Sequence, residues 1–232
     1  MLIGILQTGA SPDALRDQGD YPDFFERLLA ERGLTFRRWS VMEMDFPASV
    51  QDCDGWLITG SRFGVYEDHP FIAPLEDFIR KAWDEHVPVV GICFGHQIIA
   101  QAMGGRVEKY RGGWSVGPTQ YDFQGEKFAL NAWHQDQVVE KPPAAEVVAS
   151  AAACENAALL YDDRMFSVQP HPEFPKEFME GLIRVRGPGL VPQPVLDAAT
   201  ERIDTPLDAA KMADRIAAFF LNRQTRAEMR RA

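Results

Sequence analysis

A cysteine set between glycines, Gly91-Ile92-Cys93-Phe94-Gly95-His96-Gln97, directly follows the apolar run Val87-Pro88-Val89-Val90. The run reads as a buried strand, and 96–103 as a short amphipathic helix ending at Gly104-Gly105. Glycine on both sides of the cysteine suits a turn too tight for Cβ atoms. Such a strand-to-helix turn holds a side chain out of the sheet, beside the unpaired N–H groups of a helix start. The positive end of the helix favours an anion, and the thiolate is the reactive form of cysteine. A free cysteine by itself is ordinarily a small buried hydrophobe, so the nucleophile reading needs a base and an acid to orient it. Both occur at His171-Pro172-Glu173. Pro170, Pro172 and Pro175 restrict the residues before them to extended conformations. Residues two apart on an extended chain face the same side, so His171 and Glu173 can reach one site. There the imidazole would deprotonate Cys93, and the carboxylate would fix the tautomer and steady the charged ring. Taken alone, the pair reads as a surface His–Glu contact beside a proline-rich turn.

These side chains need a framework to meet. Residues 2–6 and 87–92 read as buried strands, 34–41 as a second strand and 54–58 as leading into a third, with helices over 21–32 and 70–86. Strands alternating with helices imply a parallel sheet with right-handed crossovers. Sites in such sheets lie beyond the carboxyl ends of the strands, where Thr59-Gly60-Ser61 and Cys93 both fall. From Gly105 to Val168 the pattern changes to short strands over 107–110, 115–123, 128–132, 146–153 and 159–161, an antiparallel layer inserted before the chain returns to His171. A helix over 175–186, a Gly-Pro loop over 187–192 and a closing helix over 205–221 complete the chain.

The 232 residues are enough for one large α/β domain, and 46% hydrophobic with 25% charged residues is ordinary for a water-soluble fold. A net charge of −10 argues against general nucleic-acid or anionic-membrane binding. The basic residues Arg223, Arg226, Arg230 and Arg231 read as a helix C-terminus. Three irregularly spaced cysteines make neither a disulfide framework nor a zinc site, and Cys53 and Cys154 lack the turn that singles out Cys93. The first residues are too short for a secretory signal, no apolar stretch has membrane-spanning length, and a cytoplasmic protein is expected. There is no Gly-x-x-x-x-Gly-Lys loop and no Gly-x-Gly-x-x-Gly, so no nucleotide cofactor is expected, and no metal site is legible.

The residues above resemble the class I, triad-type glutamine amidotransferases. Gly91-x-Cys93-x-Gly95-x-Gln97 and His171-Pro172-Glu173 stand in that family's order and spacing. Trp56-Leu57-Ile58-Thr59-Gly60-Ser61 resembles the strand and loop that carry its second oxyanion donor. The resemblance covers roughly residues 1–180 and is nearest to stand-alone members related to the GMP synthase glutaminase domain and to γ-glutamyl peptidases. His134-Gln135-Asp136-Gln137-Val138 resembles a His-x-Asp segment of those relatives. Pro170 departs from the pattern, since many members have Phe before the His-Pro-Glu; this alters packing behind the base.

The resemblance implies a flavodoxin-like three-layer α/β sandwich, with a mostly parallel central sheet and a small antiparallel addition. It implies a single amidotransferase domain over 1–232, with a helical extension from about 187. Cys93 would attack the side-chain amide of glutamine to give a γ-glutamyl thioester and ammonia, with His171 as base and acid and Glu173 orienting it. The Phe94 N–H, with that of Gly60 or Ser61, would bind the oxyanion, and Gln97 would contact the substrate. The Arg111–Ser115 loop, Trp114 included, would meet its amino-acid end. His134 and Asp136 fall in a turn, where they either line the pocket or cap a loop. An ammonia acceptor, if the protein serves one, must be a synthetase site on another chain. The alternatives are a γ-glutamyl peptidase or hydrolase using the same triad on a conjugate, and a non-catalytic regulatory protein on this scaffold.

Overall fold

The computed structural model describes residues 1–221. The basic stretch at Arg223, Arg226, Arg230 and Arg231 lies outside them. Strands β1 (Leu2–Leu6), β2 (Thr35–Trp39), β3 (Gly55–Ile58) and β4 (Val89–Ile92) alternate with helices α1 (Tyr21–Leu28) and α2 (Ile72–Asp84). After α3 (Phe94–Ala102) come β5 (Arg106–Lys109), β6 (Ser115–Phe123), β7 (Glu126–His134), β8 (Asp136–Glu140), β9 (Ala145–Ala151), β10 (Cys154–Tyr161) and β11 (Met165–Val168). Helices α4 (Lys176–Val185), α5 (Gln193–Glu201) and α6 (Ala209–Leu221) follow.

The large sheet runs β2-β1-β3-β4-β11-β10-β9-β6-β7. Its first five strands are parallel, and the remaining pairings are antiparallel. Side chains on the central strands alternate between two cores, as the two-residue period requires. Ile3, Ile5, Leu57, Val90 and Ile92 pack with Phe25 of α1 and Ile216, Phe219 and Phe220 of α6. Trp56, Ile58 and Val89 pack on the other face with Leu75 and Ile79 of α2 and Ile98 and Ile99 of α3. This is the three-layer sandwich expected.

The inserted antiparallel region divides in two. Only β5 and β8 form a separate small sheet, while β6, β7, β9 and β10 extend the main one. Strand β10 is accordingly buried along nearly its whole length. For the site, the pairing that matters is β4 with β11, in which Gly91 lies opposite Ser167 and Ile92 opposite Val168. It delivers residues 169–173 to the same sheet end as Cys93.

Candidate active site

Strand β4 ends at Ile92, α3 begins at Phe94, and Cys93 alone makes the turn, at φ 53° and ψ −101°. That conformation is strained for a residue with a Cβ and is sustained only by its surroundings. The neighbouring glycines show what those are. A Cβ on Gly91 would lie 2.4 Å from the Gly95 carbonyl oxygen, and a Cβ on Gly95 would lie 2.3 Å from the Ile58 carbonyl oxygen. The Gly95 N–H donates to Thr59 O at 3.2 Å, and the Cys93 N–H to Val168 O at 2.9 Å. The elbow is thus clamped between β3 and β11 by backbone on both sides, and backbone cannot step aside as a flexible side chain can. Gly95→Ala should therefore cost about 3 kcal/mol of stability, the upper range for overpacking, measured by urea unfolding. A loss under ~0.5 kcal/mol, the range of an unconstrained surface site, would show that the elbow is not clamped.

His171 arrives from β11 and is held by its backbone, its N–H donating to Asn131 O at 2.8 Å while Asn131 Nδ2 donates to Phe174 O at 3.0 Å. Its Nδ1 lies 2.6 Å from Glu173 Oε1. That leaves Nε2 for Cys93, whose charge acts on the ring. Phe174 stacks flat on the imidazole, centroids 4.1 Å apart and planes within 6°. Cys93, His171 and Glu173 are all 5% exposed or less. Burial by itself would discharge the imidazole, but the charges of Glu173 and Cys93 outweigh it and raise its pKa to about 10. Gly60 completes the group: a Cβ there would sit 3.0 Å from His171 Cε1 and 3.8 Å from Cys93 Cβ.

Beside Cys93 is a cavity of about 190 Å³, walled in part by Ser61, Gln97, Trp114, His134 and Asp136. Gln97 is 3% exposed, and its Nε2 donates to Asp136 O at 2.8 Å and to Gln169 Oε1 at 3.1 Å. His134 ends β7 and Asp136 opens β8, so the turn expected there is a corner at Gln135. His134 is 4% exposed, and neither ring nitrogen meets a partner in good hydrogen-bond geometry. Burial first, then the charges of His171 and His96, lower its pKa to about 3 and keep it neutral. His96 is fully buried and tied to Ser167 Oγ at 2.8 Å, which fastens α3 to β11. Burial pushes the Cys53 thiol up to about 11 and that of Cys154 up to about 12.

The same cavity draws Tyr21, Arg62, Phe63, Lys109, Trp133 and Arg186 into its wall, none of them singled out by the sequence. They come from separate elements that only the fold brings together, and no local pattern marks them.

A glutamine amidotransferase class-I model matches residues 19–180, a span that includes Cys93, His171 and Glu173. The chain belongs to the class-I glutamine amidotransferase family. Among curated relatives, gamma-glutamyl peptidase 4 of Arabidopsis thaliana is 30% identical over 93% of this chain and 94% of its own length. The glutamine-hydrolyzing GMP synthase of Ralstonia pickettii is 34% identical over 50% of this chain, but over only 24% of its own. The crystal structure of a glutamine amidotransferase from Methylobacillus flagellatus shares the fold, with a TM-score of 0.71, 22% identity and coverage of 95% of this chain and 93% of that one. Among the described residues, no helix is long and apolar enough to cross a membrane.

Proposed function

We propose that this amidotransferase hydrolyses a γ-glutamyl amide through a thioester on Cys93. The observation that carries the reading is the buried line from the strained Cys93 through His171 to Glu173. In the first half-reaction, sulfur bonds the amide carbon and the carbonyl electrons move onto oxygen. As the oxyanion collapses the C–N bond breaks, and the nitrogen departs with the proton held by His171. In the second, water bonds the thioester carbon and passes a proton to His171. The C–S bond then breaks, returning the sulfur and releasing glutamate.

The oxyanion would rest on the Phe94 N–H, at the first turn of α3, and on an N–H of the Gly60-Ser61 loop. In support, the carbonyls of this loop are pinned elsewhere. Thr59 O accepts from the Gly95 N–H, and Gly60 O accepts from the hydroxyls of Thr8 and Thr59, both at 3.0 Å. Trans peptides place the following N–H groups on the opposite side from those donors. Losing one such contact costs ~2.7–4 kcal/mol of barrier. With Nε2 already committed, Gln97 would meet the substrate through Oε1, and His134, Trp114 and Asp136 would surround its amino-acid end.

For free glutamine the leaving group is ammonia, which would pass to an acceptor on another chain or escape. A γ-glutamyl conjugate is the second reading. It is favoured by the match to gamma-glutamyl peptidase 4 over nearly the whole of both chains, where GMP synthase matches over a quarter of its length. The test is glutamate release from glutamine and from a γ-glutamyl anilide, with and without alkylation of Cys93. Release that alkylation abolishes is expected. A protein that alkylates stoichiometrically yet turns over neither compound would overturn the proposal.

A further inference from the structure

Two segments meet at the elbow, and they meet twice. Helix α3 carries Gln97 one turn beyond Cys93, its N–H donating to Cys93 O at 3.0 Å. The chain leaving β11 carries Gln169 just ahead of His171. The pair that holds the chemistry, Cys93 and His171, is thus matched by a second pair. Gln97 Nε2 donates to Gln169 Oε1 at 3.1 Å and to Asp136 O at 2.8 Å. The backbone at Gln169 is itself tied to β10, its N–H donating to Ala157 O at 2.8 Å. The Asp136 carbonyl can only accept, so it fixes which end of the Gln97 amide is nitrogen. With that end set, Gln169 must offer its oxygen. Turning the Gln97 amide over would set Oε1 against two acceptor oxygens at once. Held this way, Gln97 spends its N–H groups on these two acceptors. Oε1 is the atom left for the Cys93 cavity, whose wall Gln97 joins.

Gln169 is a poor choice for stability alone. It is fully buried, and its own Nε2 has no partner among the described residues. A buried N–H group left unpaired is a cost that an apolar side chain of similar size would not carry. The amide at this position is accounted for by what its oxygen does for Gln97. Without that oxygen, one N–H of Gln97 loses its acceptor in a buried place. The side chain then gains by turning that N–H toward the cavity, which withdraws Oε1 from it.

We infer that Gln169 is a positioning residue, which holds the Gln97 amide in the orientation that presents Oε1 to the substrate. The inference rests on the thioester reading above and on the Gln97 contact within it. The test reads KM for glutamine and for a γ-glutamyl anilide in Gln169→Met, in Gln97→Met and in the double variant. KM does not depend on how much of a preparation is folded. Methionine matches glutamine in length and brings neither a strong acceptor nor an unpaired N–H. Gln169→Met should raise KM by about twofold to tenfold, the worth of one neutral hydrogen bond. Its kcat and its rate of Cys93 alkylation should hold, and its thermal midpoint should not fall, as it would for a residue that serves packing. Gln97→Met should raise KM at least as far, and adding Gln169→Met to it should raise KM no further, because the second residue acts only through the first. Gln169→Glu keeps an acceptor oxygen and should stay near the native KM. A native KM in Gln169→Met, a Gln169→Glu protein as impaired as Gln169→Met, or increases that multiply in the double variant would overturn the role. A native KM in Gln97→Met would remove the contact and the role with it. In each of those cases continued turnover leaves the thioester reading standing. Turnover of neither compound by protein whose Cys93 still alkylates would sink the thioester reading, and this inference with it.

Discussion

Cys93→Ala should abolish turnover of every γ-glutamyl amide and leave the fold in place. The expected loss is ~10⁴-fold or more, the scale on which removing a covalent nucleophile acts when its base is left with nothing to activate. Neither remaining cysteine can substitute, because burial raises their thiols to about 11 and about 12 and no base faces them at the elbow. The fold should survive because alanine keeps the Cβ that the elbow already accommodates at φ 53°, so strain is neither added nor relieved. Only a sulfur is removed from a site that borders a cavity. The check is glutamate release by the variant beside its thermal midpoint. Residual release within tenfold of the unaltered protein, at an unchanged midpoint, would remove Cys93 from the nucleophile's role.

What the sequence showed of this site was local, and what it hid was not. Cys93 announces itself because the constraint is written next to it: Gly91 and Gly95 are needed where a Cβ would strike backbone at 2.4 and 2.3 Å. His171 and Glu173 announce themselves through flanking prolines, which fix an extended stretch and so a shared face. The inner parallel strands β1, β3 and β4 are legible because each is buried on both faces and reads as an apolar run, whereas β2 at the sheet edge is largely exposed. Helix α5 had no such signal, since Gln193–Glu201 buries only Leu196 and Ala199. The order of strands could not be read either. Nothing in the 115–161 stretch says that β10 would pair with β11 and carry four strands into the main sheet. The wall of the cavity depends on that order. Trp133, Arg62 and Arg186 are ordinary residues in sequence, and only tertiary placement gives them a site to line.

Glu173→Gln should reduce turnover by ~10²- to 10⁴-fold, the range expected when an orienting carboxylate becomes an amide, and so less than the loss of Cys93. The substitution nearly preserves shape, so its effect isolates charge. Glu173 Oε1 sits 2.6 Å from His171 Nδ1, and Oε2 has no partner. Glutamine must place an NH₂ either against the ring or in that unpaired position. With the negative charge gone, the burial that disfavours the imidazolium is opposed by Cys93 alone, and the pKa of His171 must fall from about 10. The alkaline limb of the pH–rate profile should move down accordingly, because the departing nitrogen loses its acid at lower pH. Stability should follow the same sign. A folded pKa raised above an unfolded value of ~6.5 contributes stability that is fully present below that value and lost as pH rises through about 10. The gap in unfolding free energy between the two proteins should thus be widest near the unfolded pKa and narrow steadily above it. A variant with the native rate, and an alkaline limb in its native place, would show that Glu173 does not hold the charge on His171.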